Sequence, residues 1–380
     1  MASQNGRNPA ISITKGICIL TVINTHLLSG VTIIELVLKY IMQAVLLYFF
    51  WISGYLTKQK DEPLRDQYAK RTVRLITPLI TFFVVLYIPS AGYLLSKGIN
   101  TVPELLRSGA SELLGKNFMD FFFPGLYLKT GLHEVFLTFW FIRQFLLSTW
   151  IFLPFVPRVS RGTKEMLSVC LPLVAIGMAL TAVWPDMPLE IHCSPILAAL
   201  MLFGVYCRSA DLFEKIPPLG SSIKDVVIFA AVLAVMAIVN SNSPYMTELS
   251  YGVFGKYGVW SILPALLSTL CLVYFLVTIS KRLAGWKLFK PLVYIGDYTD
   301  IFMYFHMFFA VLFCGLTGCA YAREYTGSLP MNVLPQCLLS LVVSLVCCYL
   351  LNEVIICLKS RQIKVADKNA SVAQNHSGKE

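Results

Sequence analysis

Apolar positions dominate this chain, and they come in blocks rather than in stripes. Ten blocks are long and apolar enough to be read as membrane helices: 11–28, 40–57, 73–96, 137–157, 167–184, 192–207, 225–240, 257–280, 293–320 and 331–357. A helix needs about 20 residues to cross the hydrocarbon layer, with a range of ~17–25. The sixth and seventh blocks are short for that. The ninth and tenth are long and must tilt or protrude. The pattern predicts an all-α polytopic membrane protein of about ten transmembrane helices around a polar cavity. It divides the chain into a transmembrane domain over 1–360 and a polar, disordered cytoplasmic tail over 361–380.

Composition agrees with this pattern. Of 380 residues, 57% are hydrophobic and only 14% charged, against about a quarter charged in a soluble domain. The net charge of +10 could suggest nucleic acid, but its distribution gives a better account. With the N-terminus in the cytoplasm and the chain alternating sides, most of the 31 lysines and arginines fall on the inner side. Examples are Lys58, Lys60, Arg65 and Lys70 after the second block, and Lys281, Arg282, Lys287 and Lys290 after the eighth. This is positive-inside bias. It places both termini in the cytoplasm, makes a multi-pass protein of the cell (inner) membrane, and needs no nucleic-acid partner. The 11 cysteines are scattered through apolar runs without metal-ligand spacing, so they read as small buried hydrophobes and no metal is implied. The N-terminus lacks a signal-peptide pattern, and the first block is expected to be retained. One long outer loop, about 97–136, carries Gly, Pro and mixed charge. Its aromatic stretch "NFMDFFFPGLYL" suits the membrane interface.

Ionisable groups inside a span cost on the order of 2.5–3.5 kcal/mol at mid-helix and need a reason. Lys15 and His26, in "KGICILTVINTHLL", are eleven residues apart. At ~100° per residue they share one helix face, about 16 Å apart along the axis. Two readings fit: a snorkelling lysine with an interfacial histidine, or a polar stripe lining a cavity with His26 as the proton-transfer group. Arg71 and Arg74 in "YAKRTVRLITP" share a face at the cytoplasmic mouth of the third span. They suit a phosphate, or are ordinary inner-side charge. Phe50, Ser53 and Gly54 form F-x-x-S-G, which physics alone reads as a close-packing motif. No nucleophile elbow supports Ser53 as a catalytic serine. In "IGDYTDIFMYFH", Asp297 and Asp300 open the ninth span, and His306 lies deeper, either lining the cavity or bonded to a neighbouring helix. Arg143, in "FWFIRQFLL", sits about one and a half turns inside the outer end of the fourth span. It either snorkels or clamps an anionic substrate. His133 and Glu134, just before that span, read as solvated surface.

In this order the motifs resemble the integral-membrane acyltransferase type 3 family, bacterial O-acyltransferases that act on cell-surface glycans. Lys15-x10-His26 resembles its R/K-x10-H signature, and Phe50-x-x-Ser53-Gly54 its F-x-x-S-G. Arg71-x-x-Arg74 resembles its R-x-x-R, "FWFIRQFLLSTWIFLP" its W-F-[LI] segment, and "YIGDYTDIFMYFH" its late I-G-x-Y-S-x-x-I-Y-x-x-H motif. Ser12 stands where the family usually has Asp, so a carboxylate contact is either missing or supplied elsewhere. The resemblance implies an acyl-CoA co-substrate, most often acetyl-CoA, with no permanently bound cofactor. It also implies a glycan or other hydroxyl acceptor, with His26 as general base or acyl relay and Arg71 and Arg74 on the CoA phosphates. Lys15, Arg143 and His306 are then substrate-binding candidates. The rival expectation is a transporter or exporter of a polysaccharide precursor or small solute, since intramembrane charges mark transport paths too. A sensing module without chemistry is a third. The sequence leaves the oligomeric state open.

Overall fold

The computed structural model describes residues 8–28, 41, 44–59, 61–98, 100–115, 119, 139–185, 187–242, 258–317 and 333–377. Among them there is no strand. In chain order the main helices are α1 (Pro9–Leu27), α2 (Val45–Leu56), α3 (Leu64–Ser96), α4 (Val102–Leu114), α5 (Phe139–Phe152) and α6 (Thr163–Val183). They continue with α7 (Ser194–Ser209), α8 (Ile223–Asn242), α9 (Ile262–Leu283), α10 (Lys290–Asp297), α11 (Thr299–Thr317) and α12 (Leu334–Ser377). Each of the ten apolar blocks contains a helix. Among the described residues eight helices reach spanning length and composition, while Val45–Leu56 and Thr299–Cys314 are apolar but shorter. The chain is a multi-pass helical membrane protein.

The buried centre is built from α1, α2 and α7. Helix α1 packs against α2, α9, α10, α11 and α12, and α7 against α2, α5 and α6. Helices α8 and α12 form the rim: Val227 is 62% exposed, Ile238 65% and Val342 55%. Apolar faces of that size are what a bilayer covers. Two close approaches lock the centre. A Cβ on Gly54 would overlap the Met201 carbonyl, and one on Gly204 the Trp51 carbonyl, so α2 and α7 meet backbone to backbone. Gly16 and Gly296 do the same for α1 and α10. Small residues at such crossings are how helices associate in lipid.

Local chemistry sets the helix ends. Asn8 caps α1, its Oδ1 accepting from the Ala10 N–H at 3.0 Å, with Pro9 in the first turn. The stretch expected to be an outer loop contains α4, which has a capping box between Thr101 and Glu104. The Thr101 backbone N–H holds the Glu104 carboxyl below the usual carboxylate range. Tyr87 on α3 donates to the Leu105 carbonyl and ties α4 to the bundle. The aromatic stretch 117–128, apart from Met119, and the His133–Glu134 pair lie outside the described residues. At the other end of the chain the backbone of α12 runs on to Ser377, through the polar stretch expected to be a disordered tail. No glycine or proline interrupts it between Pro335 and Gly378, so nothing in the local sequence stops the helix.

Candidate active site

The site grows from one face of α1. Lys15 and His26 both lie on this uninterrupted helix and both are half-buried. Near the lysine, Ser12 donates its hydroxyl to Asp297 Oδ1 at 2.6 Å. Asp297 ends α10, and Tyr298 breaks the helix before α11 starts at Thr299. The Thr299 hydroxyl donates to the Gly296 carbonyl at 2.8 Å across that break. The carboxylate that α1 lacks at Ser12 is thus supplied from α10.

From this break α11 rises beside α1. Ser12 meets Asp297 at one end, and His26 meets His306 further along. The two imidazole rings are stacked, with centroids 5.6 Å apart and planes 26° from parallel. His306 is fully buried. Its Nδ1 faces the carbonyl oxygens of Phe302 at 2.8 Å and Met303 at 3.1 Å. Ser344 on α12 donates to the His306 carbonyl at 2.6 Å. An aromatic wall adjoins the pair: Phe82 on α3 packs against Phe139 on α5 and against Tyr304 and Phe305 on α11. Behind the break, Tyr294 donates to Glu353 Oε1 and accepts from Asn352 Nδ2, both at 2.7 Å, so α12 braces α10.

The arginine pair stands where α2 ends and α3 begins. Arg71 Nη2 donates to Thr57 Oγ1 at 3.3 Å, and Thr57 in turn donates to the Ser53 carbonyl at 2.9 Å. The Arg71 guanidinium also lies 5.5 Å from the centroid of the Phe152 ring. Arg71 is half-buried, whereas Arg74, one turn on, is exposed. Nearby, Trp150 Nε1 donates to Thr72 at 3.0 Å, and Tyr68 donates to the Trp150 carbonyl at 2.8 Å. This ties α3 to α5 beside the pair. Within F-x-x-S-G the roles divide. Phe50 is buried against Phe141 and Phe145, Gly54 sits in the α2–α7 crossing, and Ser53 offers its carbonyl to Thr57.

Arg143 is bound up with its surroundings. Its Nη1 donates to the carbonyls of Glu112 and Leu113, each at 3.2 Å, at the C-terminal end of α4. Its Nη2 lies 4.0 Å from Glu190 Oε2. Gln144, next in sequence, donates to the carbonyls of Leu189 at 2.7 Å and Glu190 at 3.0 Å, and accepts from Ser194 at 3.2 Å. Leu189 and Glu190 have positive φ, 57° and 50°, a conformation costly for side-chain-bearing residues. The hydrogen bonds from Gln144 hold it.

The structure therefore brings His26 and His306 together, joins Arg71 to the F-x-x-S-G segment, and leaves Arg143 in a separate cluster. Sequence reasoning missed Thr57, Gln144, Glu190 and Ser344. Glu190 carried one usable signal, a carboxylate directly before an apolar run. The other three are neutral polar residues whose partners are remote in sequence.

A family model described as an acyltransferase domain matches residues 8–353. No curated protein and no solved structure matches the chain.

Proposed function

We propose, since this chain belongs to the acyltransferase type 3 family, that it moves an acyl group from acyl-CoA to a hydroxyl of a cell-surface or lipid-linked glycan. Acetyl-CoA is the foremost donor, used as a co-substrate and not held permanently. The observation that carries this reading is the stacking of His306 against His26, which stands on the α1 face that begins at Lys15. Acyl transfer to a hydroxyl needs a group that takes the hydroxyl proton as oxygen attacks the thioester carbonyl. A neutral imidazole nitrogen is suited to that.

In this proposal the N- and C-termini lie in the cytoplasm and all ten helices cross the cell membrane. Arg71 and Arg74 then stand at the cytoplasmic mouth, where CoA is found, and bind its phosphates. The acyl–pantetheine arm follows the face from Lys15 to His26, a rise of about 16 Å, into a polar cavity. His26 acts on the acceptor as general base. Alternatively it attacks the thioester itself and passes the acyl group on. Lys15, with the Asp297 carboxylate held close by Ser12, orients the entry to this path.

The test uses purified full-length protein with labelled acetyl-CoA, and surface glycan from cells that carry wild type or His26→Gln. Wild type is expected to release CoA and to raise the ester-linked acetyl content read by mass. His26→Gln is expected to lose 10²–10⁴-fold in transfer, the usual worth of a general base. Retained activity in a folded, membrane-inserted variant would falsify the assignment. Label trapped on His26 without acceptor selects the relay route.

A further inference from the structure

The two ring nitrogens of His306 are not equivalent. Nδ1 points at the carbonyls of Phe302 and Met303. A carbonyl only accepts, so Nδ1 carries the hydrogen. The lone pair of the neutral ring is then on Nε2, and Nε2 has no hydrogen-bond partner among the described residues although the side chain is fully buried. Buried polar atoms are rarely left so, and each one calls for an explanation. The ring is also held in place. Ser344 pins its backbone carbonyl from α12, the neighbouring Phe305 packs against Phe82, and His26 stacks on one face.

We infer that His306 is a second catalytic residue: in the relay route, with the acyl group on His26, its Nε2 takes the proton of the acceptor hydroxyl. The inference rests on the acyl-transfer reading above and deepens it. Fixing one imidazole nitrogen by donation to an acceptor, so that the other presents its lone pair, is how a histidine base is held for work. Here two backbone carbonyls do the fixing.

The step balances. The hydroxyl oxygen bonds to the acyl carbon while its proton passes to His306 Nε2. The bond from acyl carbon to the His26 ring nitrogen breaks, and the electron pair leaves on that nitrogen. Nε2 then returns the proton to it, giving ester and free His26, the CoA thiol having left when His26 took the acyl group. The Phe302 and Met303 carbonyls stabilise the cation while the proton is on the ring.

A buried histidine serving only as packing has the same Nδ1 bonds, so the test must keep those bonds and remove only the base. His306→Asn does so: its amide N–H₂ stands near Nδ1, and nothing that can take a proton stands at Nε2. The assay follows labelled acetyl-CoA, the full-length protein, and glycan isolated from cells lacking it. His306→Asn is expected to fold and to bind acetyl-CoA within threefold of wild type. Transfer to glycan is expected to fall by ~100-fold or more. His306→Gln, with an amide near the Nε2 position, is expected to behave likewise. A smaller loss in either folded variant overturns the assignment. So does a loss that merely tracks weakened acetyl-CoA binding, or failure of both variants to fold, because the ring is then a scaffold. Wild-type protein that transfers nothing refutes the acceptor reading itself, and the assignment falls with it.

Discussion

The Ser12 hydroxyl donates to the Asp297 carboxylate at 2.6 Å, joining residues 285 positions apart. The contact is possible because Gly296, the neighbour of Asp297, has no Cβ to collide with the Ser12 carbonyl. Lys15 lies one turn along the same face of α1. A carboxylate therefore reaches Ser12 from α10, where the family resemblance leads one to expect it on α1.

That relationship predicts a swap. Ser12→Ala leaves Asp297 short of a hydrogen bond, at a cost of about 1–3 kcal/mol if the site stays dry. Ser12→Asp is expected to be worse, since it sets two carboxylates against each other. Adding Asp297→Ser to Ser12→Asp restores one hydroxyl and one carboxylate. The double variant is expected to regain most of the thermal stability in detergent and most of the transfer activity, with a coupling of roughly 0.5–3 kcal/mol. Additive losses in the double-mutant cycle would show that the two side chains do not act as a pair.

F-x-x-S-G makes a prediction about order. A Cβ at Gly54 meets the Met201 carbonyl, which belongs to the backbone and cannot swing aside. Gly54→Ala is expected to part α2 from α7 at about 1–3 kcal/mol, visible as a lower melting temperature and poor yield. Ser53 serves Thr57 through its carbonyl, which Ser53→Ala leaves in place. Ser53→Ala is expected to keep stability and activity within a few-fold of wild type. The reverse ranking in the two melting curves and rates contradicts this account.

How much of this could be read from the sequence follows from range. The ten apolar blocks each hold a helix because block hydropathy is a local property. The α4 helix was equally local, since Thr101-Val-Pro-Glu104 spells a capping box. The loop reading overlooked it because Gly and Pro nearby suggested irregular chain. Both histidines stand out from their apolar runs, but their stacking depends on the break at Tyr298, which sends α11 up beside α1. Thr57 and Ser344 have nothing to mark them, since a hydroxyl gains importance only from what packs against it. The left-handed pair Leu189–Glu190 is concealed for another reason: neither residue is glycine, and distant hydrogen bonds from Gln144 hold the backbone there.

Arg143 and Glu190 form a buried pair with side chains only 12% and 7% exposed. Removing Arg143 takes the counter-charge from Glu190 and leaves it the Gln144 Nε2 contact at 3.4 Å. Arg143→Met is expected to cost about 3–5 kcal/mol, through a buried carboxylate without its counter-charge and two lost carbonyl contacts on α4. Glu190→Gln in the same chain removes the stranded charge and is expected to recover a large part of the loss. Unfolding midpoints of the two single variants and the double variant decide it. If Arg143 instead clamps substrate and carries little structural weight, Arg143→Met melts like wild type and loses only activity.

The two arginines make unequal predictions because their surroundings differ. Arg71 is already aimed, by Thr57 on one side and the Phe152 ring on the other, while Arg74 is exposed. A charge-assisted bond to a phosphate is worth about 1.5–3 kcal/mol. Arg74→Ala is accordingly expected to raise KM for acetyl-CoA by about 10- to 150-fold with kcat nearly unchanged. Arg71→Lys is expected to be as damaging as Arg71→Ala, because an ammonium cannot lie flat on Phe152 while forking toward a phosphate. Thr57→Val removes only the aiming bond and is expected to raise KM less, by the equivalent of about 0.5–1.5 kcal/mol. Steady-state kinetics against acetyl-CoA at fixed acceptor separate these effects. If Arg74→Ala lowers kcat at constant KM, the pair acts on the reacting group and not on the phosphates, and the donor lies the other way along the stripe.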